Sequence, residues 1–187
     1  MLVREAKTGD ALNIARFIVM AESEMVHHFT GFTDLEESAK ALVEFIVSET
    51  PTRYSLANDL VAEIDGAVAG AIISFPADKQ NELDTTMVAH MRKRGYDLTR
   101  LFFEGEPGTY YLSTAGVDPA FRGKGVGTAL IAAAEEKGRK LGFETASLLV
   151  SKGKEKARAL YERLGYAVSE DVKIVDVEYL RMTKKLA

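Results

Sequence analysis

The feature that most limits what this chain can fold into is a glycine-rich turn, Arg122-Gly123-Lys124-Gly125-Val126-Gly127-Thr128. It joins an apolar, strand-like run, Tyr110–Val117, to a helical pattern that begins near Val126. Glycines let backbone pass close to a bulky ligand without Cβ clashes, and a helix start offers unpaired N–H groups and partial positive charge. A strand, a glycine turn and a helix in that order read as a cradle for phosphate oxygens, with Arg122 and Lys124 adding fixed positive charge.

Two commoner phosphate motifs do not fit. The P-loop spacing, Gly, four residues, then Gly-Lys-Ser/Thr, occurs in no window. The dinucleotide fingerprint needs a third glycine where Thr128 stands, or Leu130 if counted from Gly125. It also needs an acid after the next strand, where Ser151-Lys152 stand.

The chain has 187 residues, 47% of them hydrophobic, and four prolines, enough for one globular domain with a real core. A single domain over 1–187 is therefore expected. No run of eighteen apolar residues appears, and Met1-Leu2-Val3-Arg4-Glu5 carries an acid without an apolar stretch behind it. Neither a membrane span nor a signal peptide is expected, and the reading is a cytoplasmic protein without a membrane partner. Absence of cysteine excludes disulfides, thiolate metal sites and a Cys acyl-enzyme. The net charge of −4 argues against nucleic acid as a partner. Its distribution is uneven: residues 1–109 carry 10 Lys/Arg against 18 Asp/Glu, and residues 110–187 carry 14 against 10. The basic half holds the cradle and suits a polyanion, while the acidic half suits a cationic amine.

The elements alternate. Leu2–Glu5 reads as a strand. Thr8-Gly9-Asp10 reads as the turn and cap before a helix carrying Leu12, Ala15, Ile18, Val19 and Met25. A second helix is expected from Thr33, with Glu36 completing a capping box, to a point before Pro51. Runs 60–64 and 68–75 flank Asp65-Gly66, a hairpin turn. After the strand at Tyr110–Val117 come a helix over 126–141 closed by Gly142, a strand over 145–150 and a helix over 154–164 closed by Gly165. Strands near 167–172 and 177–183 complete the pattern. Residues 77–107 form an insertion with helical patches at Leu83, Met87 and Met91 and again at Leu98, Leu101 and Phe102.

The turn matches Arg/Gln-x-x-Gly-x-Gly/Ala at Arg122, Gly125 and Gly127, behind Val117-Asp118-Pro119. Further along lies Ala157-Arg158-Ala159-Leu160-Tyr161-Glu162-Arg163-Leu164-Gly165-Tyr166. From Tyr110 to Tyr166 this pairing resembles the GCN5-related N-acetyltransferases. The resemblance implies an α/β fold with a mixed, mostly antiparallel central sheet flanked by helices. It implies acetyl-CoA as co-substrate and no metal, with the pyrophosphate held by Arg122, Gly123, Lys124, Gly125, Val126, Gly127 and Thr128. It also implies that backbone at Ala115, Gly116 and Val117 pairs with the pantetheine arm, where this strand splays from the one ending at Val150. Lys154 stands where many relatives carry a cofactor-contacting asparagine, and with Lys152 and Lys156 it is a candidate phosphate contact. The connection spanned by 77–107 is usually short in the family. Here it is expected to cover the acceptor site, to serve as a dimer surface or to be plain packing, and with family habit it suggests a homodimer.

The implied reaction is direct transfer of an acetyl group to a primary amine of a small molecule. A protein or peptide N-acetyltransferase and a non-catalytic acyl-CoA-binding sensor are the alternatives. The sequence has Leu149 where relatives acting on protein N-termini often carry a glutamate, which favours the small molecule. Three tasks arise: the amine must be neutral, the tetrahedral oxyanion stabilised and the thiolate protonated. Tyr161 is the expected acid, since a phenol with a pKa of about 10 keeps its proton for a basic leaving group. Glu24 is the first choice for base or ammonium contact, with Glu104 and Glu106 behind it. A metal at His27-His28 with Glu24 and Asp34 is rejected, because adjacent histidines diverge on a helix.

Overall fold

The hairpin turn shows how local sequence sets the sheet. Asp65 and Gly66 both take positive φ, 50° and 80°, and the two-residue loop joins β2 (Asp59–Ile64) to β3 (Ala67–Pro76) in antiparallel register. In the computed structural model, which describes residues 1–97, 99–102, 104–174 and 176–186, this hairpin lies within a seven-stranded sheet. The side chains of Ser23, Glu24, Met25 and His28 also lie outside the described set.

The remaining strands are β1 (Leu2–Glu5), β4 (Tyr110–Val117), β5 (Thr145–Ser151), β6 (Ala167–Ile174) and β7 (Val177–Lys185). Their order is β1-β2-β3-β4-β5-β7-β6, antiparallel except at β4 and β5. That parallel pair is joined by α4 (Val126–Lys140), as a parallel connection needs a crossover. The helices α1 (Ala11–Thr30) and α2 (Leu35–Ile46) cover one face, where Ile14, Ile18, Phe29 and Leu42 pack with Ile73, Phe75 and Tyr111. On the other face, Val126, Leu130, Ile131 and Ala134 of α4 pack with Tyr110, Leu112, Leu148 and Met182, and α5 (Glu155–Arg163) rests Leu160 and Tyr161 on the same cluster. The architecture is the mixed, mostly antiparallel sheet flanked by helices that the resemblance implied.

Two expectations are corrected. The cap of α2 is Asp34, not Thr33: its carboxylate accepts from the backbone N–H groups of Glu36 and Glu37 at 2.9 and 3.0 Å. Asp34 has extended backbone, which aims its short side chain at the open first turn. In the insertion the first helical patch forms α3 (Gln80–Lys93), whereas Leu101 and Phe102 are irregular and Leu98 lies outside the described residues. Gln80 explains the irregular stretch, since its amide donates to the Phe102 carbonyl at 2.7 Å and accepts from the N–H groups of Glu104 and Gly105 at 3.0 and 3.2 Å. Backbone satisfied by a side chain in this way does not need a helix.

One irregularity in β4 shapes everything near the glycine turn. Ile73 faces Thr114 but Ser74 faces Leu112, so Ser113 is an extra residue in the ladder. The bulge inverts the alternation: Tyr111 faces α1 before it, and Thr114 and Gly116 face α1 after it. β4 then pairs with β5 only at Tyr110, Tyr111 and Leu112, and the two strands part. Gly116 meets α1 closely. A Cβ there would lie 2.6 Å from Phe17 Cβ and 2.9 Å from its carbonyl oxygen. We expect Gly116→Ala to cost about 1–3 kcal/mol through this overpacking and to lower the Tm by several degrees, measured by scanning calorimetry.

Candidate active site

The glycine turn adopts the shape expected of a cradle. Gly123 and Gly125 have φ of 73° and 79°, the left-handed region that L side chains rarely take, and Gly125 is the residue from which α4 departs. The turn borders an open cleft of about 960 Å³ whose walls are Val117 at the end of β4, the start of α4 and one side of α5.

Of the residues expected to hold a cofactor, Val117, Arg122, Gly123, Gly125, Val126, Gly127, Thr128 and Lys154 line this cleft. Ala115, Gly116 and Lys124 are not among its lining. Gly116 instead leaves room for Phe17, and the Lys124 ammonium lies 5.0 Å above the Phe121 ring. Of the other two lysines, Lys156 lines the cleft while Lys152 turns to Asp171 at 2.5 Å and Glu178 at 3.6 Å. Arg163 also lines the cleft and was not singled out. Its signal was present: Lys156 and Arg163 are two helical turns apart and share a face.

Tyr161 packs with the cluster under α5, its ring edge-on to Tyr166 at 6.1 Å between centroids. Burial pushes its phenol pKa up. A proton so held stays on the phenol at neutral pH.

On the opposite side of the sheet a second group of polar side chains gathers behind Thr114. Glu22 has non-helical backbone, φ −131° and ψ 35°, which kinks α1. Its carboxylate accepts a hydrogen bond from Thr114 Oγ1 and another from Tyr54 OH at 3.3 Å. Burial raises the Glu22 pKa, the like charge of Glu104 raises it further, and the Thr114 hydrogen bond and Arg53 oppose the shift. Arg53 is buried and bidentate to Asp84, at 2.6 Å on both arms, and its third arm reaches Glu104 at 2.8 Å. Glu104 also accepts from Tyr111 OH at 2.9 Å.

The acids named from sequence therefore separate. The Glu24 side chain lies outside the described residues. Glu104 is engaged by Arg53 and Tyr111, and Glu106 has one buried carboxylate oxygen without a partner. Glu22 was missed although its signal was present: it stands seven residues after Ala15 and four after Ile18, in phase with the buried stripe that Val26 and Phe29 continue. Lys154 ties the two sides together: its ammonium donates to the Ala21 carbonyl, next to the kink, at 3.1 Å. Among the described residues no three His, Asp or Glu side chains gather around a metal position, and no helix is long and apolar enough to cross a membrane.

Comparison with known proteins places this geometry. Residues 24–166 match the profile of the Acetyltransferase (GNAT) family. An uncharacterized N-acetyltransferase of Methanocaldococcus jannaschii is 43% identical over 70 residues, 37% of this chain and 29% of that protein. A mycothiol acetyltransferase of Propionibacterium freudenreichii is 48% identical over 58 residues, 30% of this chain and 19% of that protein. These matches thus span less than a third of either curated relative. A crystal structure of an acetyltransferase aligns over all of both chains with a TM-score of 0.79 at 29% identity. An N-acetyltransferase from Staphylococcus aureus Mu50 aligns over 98% of this chain and 100% of its own, with a TM-score of 0.85 at 22% identity.

The raised Glu22 pKa has a sign that stability can test. A carboxyl whose pKa is higher folded than unfolded binds more protons in the native state, so stability falls as pH rises from the unfolded toward the folded value. Glu22→Gln removes that loss. We expect its Tm to exceed the wild-type value at neutral pH and the difference to shrink below the ordinary glutamate range, read from thermal melts across pH.

Proposed function

The chain belongs to the acetyltransferase (GNAT) family, and from that premise we propose that it transfers the acetyl group of acetyl-CoA directly to a primary amine of a small molecule. The observation that carries this reading is the parting of β4 from β5 after Leu112 beside a glycine cradle. A strand edge without its neighbour offers backbone N–H and C=O groups to an extended amide-bearing ligand, and pantetheine has that character. The pyrophosphate then lies on the turn Arg122–Thr128 and the α4 N-terminus, where N–H groups and the helix dipole favour anions. Lys154, Lys156 and Arg163 add positive charge along the α5 side of the cleft.

In this reading each residue has one task. The amine arrives from the α1 side of the sheet, where Glu22 takes the ammonium proton in the role first given to Glu24. The neutral nitrogen attacks the thioester carbonyl, and a tetrahedral oxyanion forms. As it collapses, the C–S bond breaks and the Tyr161 phenol passes its proton to the departing thiolate. A chain without cysteine has no thiol to hold the acetyl group, in keeping with direct transfer. A small acceptor is favoured by Leu149 at the position where a glutamate serves relatives that act on protein N-termini. The location we propose is the cytoplasm, where a chain without cysteine needs no disulfide and where, among the described residues, no helix is long and apolar enough to cross a membrane.

Two substitutions test the assignment. Gly125→Glu places a carboxylate, in strained left-handed backbone, where phosphate oxygens would lie. Calorimetric titration is expected to show acetyl-CoA and CoA binding to the wild type and no measurable binding to this variant; unchanged affinity refutes the cradle. Tyr161→Phe is expected to leave that affinity intact and to lower kcat by about a hundredfold to ten-thousandfold, measured as thiol release with an amine panel. A panel-wide absence of thiol release despite tight CoA binding would favour the acyl-CoA sensor instead.

A further inference from the structure

The buried charges behind Thr114 do not balance. Arg53 is the cation at the centre of the group, and Asp84, Glu104 and Glu22 are three acids within its electrostatic reach. Its Nε and Nη2 go to Asp84 and its Nη1 to Glu104. Glu22 takes its hydrogen bonds from Thr114 and Tyr54, which bring no charge. Arg53 and Asp84 side chains are each only 3% exposed, so this commitment is held by packing. Water screens such a pair little.

Asp84 lies on α3 and Glu104 on the irregular stretch behind it, so both acids that occupy Arg53 come from the 77–107 insertion. Gln80, also on α3, fixes them in place, with its amide 3.4 Å from Asp84 and its carbonyl accepting from the Glu104 N–H. We propose that the insertion is a positioning device for the acceptor site: Asp84 and Glu104 pin Arg53 away from Glu22, so that the countercharge Glu22 lacks is supplied by the ammonium of an aliphatic amine acceptor. The inference rests on the acetyl-transfer reading for its acceptor, but the pinning of Arg53 stands on geometry alone.

The chemistry follows from the charge count. With Arg53 spent, an approaching alkylammonium neutralises an acidic cluster and favours the carboxylate form of Glu22, the form that accepts a proton. The proton then moves from nitrogen to Glu22 Oε, leaving the amine neutral for attack. An arylamine, uncharged at neutral pH, brings no such countercharge. The groups within reach of Glu22 are Thr114 and Tyr111 from β4, Arg53 and Tyr54 from the segment before β2, and Glu104 from the insertion, while Asp84 of α3 is held on Arg53. Lys154 reaches the neighbouring Ala21 carbonyl, and Arg181 of β7 approaches the Glu104 carbonyl at 3.4 Å.

The experiment is a carbon-detected NMR titration of side-chain carboxyls in glutamate-labelled protein, with Glu22→Gln assigning the resonance. Glu104→Gln removes a like charge and frees one arm of Arg53, and Asp84→Asn frees two. Both are expected to move the Glu22 midpoint to lower pH, with Asp84→Glu restoring it toward wild type. In the wild type n-butylamine is expected to lower the midpoint and aniline to leave it in place, and kcat/KM for n-butylamine to exceed that for aniline by more than about tenfold. A midpoint unmoved by Glu104→Gln, or lowered equally by aniline, overturns the proposal; should Asp84→Asn fail to fold, Glu104→Gln decides alone. If the midpoints move as expected but no amine releases thiol, the pinning stands and the acetyl-transfer reading fails.

Discussion

The extra residue at Ser113 is the constraint on which both sides of the candidate site depend. A regular β4 would hold β5 along its length and direct Ser113, not Thr114, toward α1. With the bulge, the ladder to β5 stops at Leu112 and the alternation inverts. A bulged strand bends and twists more, which is how a sheet opens locally without losing its other pairings. β3 stays paired with β4 through Val117, so the opening has one firm wall.

The two faces of the sheet then carry different chemistry. The α4 and α5 side offers backbone N–H groups, glycines and cations around a cleft. The α1 side offers Glu22, Tyr54, Thr114 and the pinned Arg53. In the proposed two-substrate reaction this separation would keep the polyanion and the amine apart except at the gap. The cost lies in burial of charge: a cation held by two acids is structurally sound only while all three stay paired. The insertion therefore works as scaffolding for the acidic side.

Much of the glycine-cleft side was legible in the residues themselves. The turn Arg122–Thr128 lies between a strand and a helix because local glycine and capping chemistry demand it, and Gly142 and Gly165 close their helices with φ of 88° and 91°. Arg163 was legible too, through its spacing from Lys156. The acidic side was not. Glu22 and Thr114 are 92 positions apart, and Arg53 is 31 from Asp84 and 51 from Glu104. No periodicity relates residues that far apart in the chain.

What the sequence determined alone is therefore local: the order of elements, the hairpin at Asp65-Gly66, the glycine cradle and the helix that follows it. These rest on backbone preference and short-range pattern, which act within a few residues. What only the tertiary structure decided is which acids meet. The helical backbone breaks at Glu22, whose side chain keeps the face of Ala15 and Ile18, and the bulge at Ser113 brings Thr114 to meet it. Both are long-range compromises between packing and pairing, and such compromises are settled only when the sheet and its helices close on one another.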